Sequence, residues 1–214
     1  MENRKEEFIP ALRFNALTPF YDLIQRWIVR DTRFKSRLIE QAQVRAGHRV
    51  LDLGCGTGTL ALMVRRAQPA SDVVGLDADP RMLKVATAKA AGESPPVQFD
   101  QGMAFDLPYP DASFDRVLSS LMIHHLKTPD KEKAAREVYR ILKPGGQLHV
   151  IDFGKPRTPY GKLVGFFLHG FEEANDNIDG RLPLIFEQAG FRVREAGDFM
   201  TFFGSLTFLF GEKP

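Results

Sequence analysis

Apolar and polar positions follow two rhythms along this chain. Tyr21, Ile24, Ile28, Phe34, Leu38 and Ile39 recur at helical spacing and predict helix across Thr18–Val44. The rhythm then shortens. Arg49–Leu53 reads as a buried strand ending in a glycine cluster, and from there strand and helix alternate. Leu60–Arg66 predicts a helix and Asp72–Leu76 a strand. Asp79 caps the next helix with Pro80 at its first position and Gly92 past its end. Val97–Phe99 and Phe114–Ser120 predict two further strands. Thr128-Pro129 opens a helix that buries Ala134, Val138, Ile141 and Leu142, and Pro144-Gly145-Gly146 stops it. Gln147–Phe153 is a strand, Leu182–Ala189 a helix closed by Gly190, and β-like segments near Phe191–Phe199 and Phe202–Phe210 finish the chain.

Such alternation predicts an α/β fold: a Rossmann-like, doubly wound, seven-stranded sheet with helices on both faces. The final two segments are too close for a crossover helix, so they form a hairpin and the last strand runs antiparallel. The expected organisation is one domain over 1–214. It comprises an N-terminal helical cap (1–48), a core (49–157), a lid-like insertion (158–176), and a last helix with the hairpin (177–214).

Charge and composition narrow the function. Lys plus Arg is 29 and Asp plus Glu 27, a net charge of +2, which argues against a nucleic-acid groove. No apolar targeting segment follows the first residues, and the greasiest run, Leu163–Leu168, is far shorter than a membrane span. The single cysteine, Cys55, forms no internal disulfide, so a cytoplasmic location is expected, with peripheral membrane contact left open. The 18 Phe against 4 Tyr and 1 Trp predict an interior or pocket rich in phenyl rings.

Val50-Leu51-Asp52-Leu53-Gly54-Cys55-Gly56-Thr57-Gly58 carries the strongest chemical signal. A dinucleotide fingerprint, G-x-G-x-x-G, would place its third glycine at 59, which is Thr59. A nicotinamide reductase is therefore disfavoured. Asp52, just before the turn, repels a pyrophosphate and favours a ligand with a cationic portion. Asp77, after the next strand, is placed to accept both hydroxyl protons of an adenosine ribose, leaving Asp79 as the helix cap.

These blocks, with Leu107–Asp115, Tyr139–Gly146 and Ile151–Pro156, resemble the class I S-adenosylmethionine-dependent methyltransferases. The similarity is greatest to the type 11 group, which holds the ubiquinone/menaquinone C-methyltransferases and bacterial phospholipid N-methyltransferases. The resemblance runs from about Tyr21 to Ala189. It implies S-adenosyl-L-methionine as cofactor, S-adenosyl-L-homocysteine as product, and a small, apolar or aromatic molecule or lipid as acceptor. By the same resemblance Asp52, Gly54, Cys55, Gly56, Thr57 and Gly58 form the loop at the methionine end. Asp77 takes the ribose, Ala78 and Met82 flank the adenine, Met103 and Ala104 border its other side, and Ser120 lies under the sulfonium. Met103 departs from the family, where many relatives carry an Asp or Asn that bonds the adenine amine.

His124 and His125 follow the fourth strand, and either is a candidate to take a proton from the acceptor. The bland reading makes one a strand cap and the other core. Metal ligation by this adjacent pair is disfavoured. Tyr21, with Asp22, lies in the N-terminal helix that closes over the cofactor in relatives. The apolar run Leu163, Val164, Phe166, Phe167, Leu168 and Phe171 is expected to form a substrate lid, joined by Phe199, Phe202 and Phe203. The competing function is a non-catalytic cofactor-binding or interaction module of the same fold.

Overall fold

The computed structural model describes residues 31–94, 96–168, 174–201 and 204–214. In chain order the elements are α1 (Asp31–Ala42), β1 (Arg49–Leu53), α2 (Thr59–Ala67), β2 (Asp72–Asp77), α3 (Pro80–Ala90), β3 (Gln98–Gln101) and β4 (Phe114–Ser120). After a 3-10 turn (Ile123–His125) come α4 (Thr128–Ile141), β5 (Leu142–Phe153), α5 (Pro159–Leu168), α6 (Asn175–Ile178), α7 (Leu182–Gln188), β6 (Arg192–Thr201) and β7 (Gly204–Glu212).

The seven strands form one sheet in the order β3-β2-β1-β4-β5-β7-β6. β1 pairs in parallel with β2 and β4, β2 with β3, and β4 with β5. β7 runs antiparallel to both neighbours, as expected for the closing hairpin. The strand order reverses between β1 and β4, so the crevice of the fold opens at their carboxyl ends.

Both faces of the central strands are apolar because helices cover both. Leu51, Leu53, Val74, Leu76, Val117, Leu148 and Val150 pack with Val138 and Ile141 of α4 and Ile185 and Phe186 of α7. Val50, Val73, Leu118, Ile151 and Phe208 pack on the other side with Phe34 and Leu38 of α1 and Leu60 and Ala61 of α2. The strand period of two assigns alternate residues to these two cores.

Local chemistry sets several boundaries. Asp79 Oδ1 accepts the Arg81 backbone N–H at 2.9 Å, and Pro80 occupies a position whose missing N–H costs nothing. The helix α4 stops earlier than its Pro-Gly-Gly signal predicts. Leu142 is already extended and pairs with Phe114, and the next pair, Arg116 with Gln147, skips the residues between. Pro144-Gly145-Gly146 is thus an irregularity within β5, where Gly145 takes a positive φ of 73°.

The predicted N-terminal helix is described only from Asp31, so Tyr21, Asp22, Ile24 and Ile28 lie outside the described residues, as do Phe171, Phe202 and Phe203. Phe199, expected in the lid, instead meets Phe34 of α1 edge-on at 5.9 Å between ring centres. It joins the core beneath α1 because the β6–β7 hairpin lies against that helix, where Arg37 donates to the Ala196 carbonyl oxygen at 2.7 Å. Among the described residues no helix is long and apolar enough to cross a membrane.

Candidate active site

The first wall of the crevice is the turn after β1. Gly54 and Cys55 both donate their N–H to the Leu76 carbonyl oxygen, at 2.8 and 2.9 Å, which locks the turn against β2. Gly54, Gly56 and Gly58 all take positive φ, 72°, 53° and 76°. Their reasons differ. A Cβ on Gly54 would overlap Met122, and one on Gly58 would press on Phe99 and Ala86, whereas one on Gly56 would meet nothing within 4 Å. Gly56 is the position where backbone opens onto free space.

Asp77 ties this turn to the next. Its Oδ2 accepts the Gly56 N–H at 2.7 Å and its Oδ1 the Asp79 N–H at 2.9 Å. Burial pushes the Asp77 carboxyl above its ordinary range, and these backbone donors offset the push in part. Asp79 moves the other way, held low chiefly by its hydrogen bonds from Arg81. The Asp77 carboxylate keeps acceptor capacity for a further donor.

The cleft bounded by these turns has a volume of about 310 Å³. Of the residues expected to hold a nucleoside, Gly54, Cys55, Gly56, Thr57, Asp77, Ala78, Met82, Met103, Ala104 and Ser120 all line it. Ser120 Oγ is buried and finds no hydrogen-bond partner. Met103 offers a thioether where a carboxylate or amide would serve adenine better. Its backbone carbonyl oxygen accepts the Asp106 N–H at 3.2 Å.

Two expected residues fall outside the lining. Asp52 is 2 % exposed, and its Oδ2 accepts the Ala61 N–H of α2 at 2.9 Å. The strand period explains this placement: Leu51 and Leu53 face one core, so Asp52 shares the face of Val50, beneath α2. That signal was present in the sequence. Gly58 is the other. It precedes α2 in the left-handed conformation and gives Phe99 room to pack.

The 3-10 turn supplies another part of the cleft wall, and its two histidines differ. His125 lines the cleft, and burial, reinforced by His124, pushes its pKa down to about 3. It stays neutral at ordinary pH and is a weak base. His124 does not line the cleft; its ring packs against His125 at 4.0 Å and edge-on to Phe153 at 4.8 Å between centres. His124 Nδ1 lies 2.7 Å from Asp152 Oδ1. The ionised carboxylate accepts only, so Nδ1 carries a proton; in the neutral ring the lone pair is then on Nε2.

Asp152 is 1 % exposed and also accepts the backbone N–H groups of Ile123 at 2.8 Å, His124 at 3.3 Å and Phe153 at 2.7 Å. Burial alone would raise its pKa, but His124 and the backbone N–H of Phe153 bring it below the ordinary carboxylate value. Sequence reasoning missed Asp152, which β5 brings to the turn from 28 positions away. It also missed Lys35, Phe105 and Met122, all of which line the cleft.

A family model described as a methyltransferase domain matches residues 50–146. A demethylmenaquinone methyltransferase of Thermus thermophilus is 40 % identical over 145 residues, 67 % of this chain and 65 % of that protein. The match thus spans just under two thirds of that relative's length. The demethylmenaquinone methyltransferase of Listeria monocytogenes serotype 4a is 34 % identical over 216 residues, covering 89 % of this chain and 90 % of its own. In fold, a SAM dependent methyltransferase from Aquifex aeolicus superposes with a TM-score of 0.67 at 20 % identity, over 97 % of this chain and 100 % of that one. With the switch-point cleft, the glycine turn and Asp77 in place, the chain belongs to the class I S-adenosylmethionine-dependent methyltransferases, in the group of the menaquinone and ubiquinone C-methyltransferases.

Proposed function

We propose that the protein transfers a methyl group from S-adenosylmethionine to a ring carbon of a reduced, quinone-type acceptor. The acceptor class comes from the demethylmenaquinone methyltransferase relatives. The observation that carries the reading is one cleft lined by the glycine turn, by the Asp77 carboxylate and by His125 of the 3-10 turn.

The residues present fit the cofactor. Gly56 leaves open space where any side chain would intrude, Asp77 keeps acceptor capacity, and the buried Ser120 hydroxyl lacks a partner. Asp77 would hold the ribose, Ala78 and Met82 one side of the adenine, and Met103 and Ala104 the other. Gly54, Gly56, Thr57 and Ser120 would face the methionyl portion. When bound, the cofactor supplies an electrophilic methyl group on a sulfonium whose leaving group is a neutral thioether.

The chain's task is therefore alignment, exclusion of water and removal of a proton. The base would be His124, which stands beside the cleft wall rather than in it: its Nε2 would take the proton of a phenolic hydroxyl on an acceptor bound against the His124-His125 turn, Asp152 would stabilise the resulting imidazolium, and electron density would rise at the neighbouring ring carbon. That carbon would take the methyl group the cofactor supplies; its ring proton would then leave to solvent and the phenolic oxygen would recover its proton from His124, restoring both aromaticity and the neutral imidazole. Neutral His125 lines the cleft as a hydrogen-bonding, weakly basic wall.

The test is incubation with methyl-labelled cofactor and chemically reduced demethylmenaquinone in detergent, with the product identified by mass. Label in the ring-methylated quinone is the expected result. Cofactor binding without transfer to any reduced quinone would overturn the acceptor assignment and favour a non-catalytic binding module.

A further inference from the structure

We infer that Met103 and Met122 are sites of reversible oxidation, at which a peroxide turns the thioether into a sulfoxide and so closes the cleft to the cofactor. The inference rests on the cofactor assignment above. The chain has six methionines and one cysteine, and Met82, Met103, Met122 and Cys55 all line the cleft. More than half of its sulfur atoms thus border one crevice of about 310 Å³.

The four sulfurs are not equally open to an oxidant. Met82, on α3, is 3 % exposed. Cys55 is also buried. Burial first, then Asp52, pushes its thiol well above the ordinary value, so it keeps its proton, and the thiolate rather than the thiol is the reactive form. Met103 and Met122 are half-buried and line the cleft, and a thioether needs no deprotonation to react.

Each of the two sits where an added oxygen harms binding. Met122 lies over the glycine turn: a Cβ on Gly54 would fall 2.1 Å from Met122 Cγ and 3.4 Å from its Sδ. It also packs against the core that holds Leu53, Ile123 and Val138. A sulfoxide oxygen among these apolar neighbours either stays unpaired, at a cost, or turns the side chain out into the cleft. Met103 follows β3 and forms, with Ala78, Met82 and Ala104, the wall assigned to the base. Oxidation there turns a flexible apolar contact into a polar one. The step balances with peroxide alone. A sulfur lone pair attacks one peroxide oxygen, the S–O bond forms, the O–O bond breaks, the thioether loses two electrons, and the second oxygen leaves as water with both protons. A hydroquinone acceptor of the kind proposed above yields peroxide when dioxygen oxidises it, so the oxidant and the loss of usable acceptor arise together.

Hydrogen peroxide treatment of free and S-adenosylhomocysteine-saturated protein, read by peptide mass and then by calorimetry with S-adenosylhomocysteine, tests this. Met200, 44 % exposed on β6 and outside the cleft lining, is the internal control. It should gain oxygen at the same rate with and without ligand, whereas Met103 and Met122 should gain it in the free protein and be slowed in the complex. Affinity should then fall on the order of tenfold or more, and a methionine sulfoxide reductase should restore it. The double variant Met103→Leu, Met122→Leu should keep its own untreated affinity within about twofold through the same exposure. Oxidation at both positions without loss of affinity, an equal loss in the double variant, or labelling that the ligand does not slow would each overturn the inference. Should the double variant fail to fold, each single Leu variant should lose less affinity than wild type, and equal loss in both singles overturns the inference likewise. Untreated wild type that binds no S-adenosylhomocysteine would overturn the cofactor assignment itself, an outcome separate from the others.

Discussion

At the glycine turn the protein works with backbone; at the 3-10 turn it works with side chains brought from a distant strand. The first end is held by N–H groups of Gly54, Cys55, Gly56 and Asp79, all bonded within or next to β1 and β2. The second depends on Asp152, buried at the end of β5 and gathering three backbone N–H groups and the His124 ring. The difference matches the chemistry proposed for each end. At the glycine turn the shape is set by backbone, with no room for a side chain at Gly54 or Gly58. The proton transfer requires one imidazole in one tautomer, and the fold dedicates a buried carboxylate to that.

The sharpest way to break this comparison is to remove each histidine in turn. His124→Gln should lower kcat by roughly 10²–10⁴-fold with cofactor affinity nearly unchanged, the range of a lost general base. His125→Asn should cost far less and leave the shape of the pH–rate profile intact. His125 itself titrates near 3, below the working range, so it cannot supply the acid limb. Steady-state kinetics from about pH 5 to 9 read both effects. A profile flattened by the His125 change would reverse the roles assigned to the two rings.

The nucleoside end gives the next effect in size. Asp77→Ala removes the ribose acceptor and also frees the Gly56 and Asp79 N–H groups, so cofactor binding should weaken by one to two orders of magnitude, about 1.5–3 kcal/mol. Asp77→Asn keeps the side chain's shape and should recover part of this. Calorimetry on folded protein reads both values. Unchanged affinity in Asp77→Ala would remove Asp77 from the site.

The same contrast explains what could be read from the sequence. The strand–turn–helix at 50–58, the Asp79-Pro80 cap and the closing hairpin carry local signals, and the structure places them where those signals point. The facing of Asp52 is equally local, since its strand parity matches Val50, whereas its place beside a glycine turn reports only its charge. Asp152 and Lys35 are different. One is a polar residue inside an apolar strand, the other a lysine on an amphipathic helix, and either pattern is ordinary by itself. Asp152 meets His124 when β5 brings it under the turn after β4, and Lys35 reaches the cleft wall when α1 packs with α2. Pairings between residues so far apart leave no mark in spacing.

The smallest predicted effect concerns stability and separates the working histidines from one that only packs. His149 is fully buried in β5, its Nδ1 3.1 Å from Gln41 Nε2 and its ring edge-on to Phe210. Burial first, then Arg116 and Arg194, push its pKa from the ordinary 6.5 down to about 3. The sign follows from proton counts. Between those two values the unfolded chain binds a proton there and the folded chain does not, so stability falls as pH falls through about 6.5 and continues to fall toward about 3. At pH 5 one such group costs about 2 kcal/mol relative to neutral pH. His125 adds a contribution of the same sign, its value also near 3. Urea unfolding at pH 7 and pH 5 measures the sum. His149→Gln keeps a hydrogen-bonding side chain toward Gln41 without a titrating ring. It should therefore shrink the difference between the two pH values by up to about 2 kcal/mol, whatever the substitution does to stability at pH 7. The pH–rate profile of His149→Gln should match wild type over the range in which it stays folded. A variant that moved the acid limb would tie the β5 core to the reacting proton and dissolve the separation drawn here between residues that position and residues that pack.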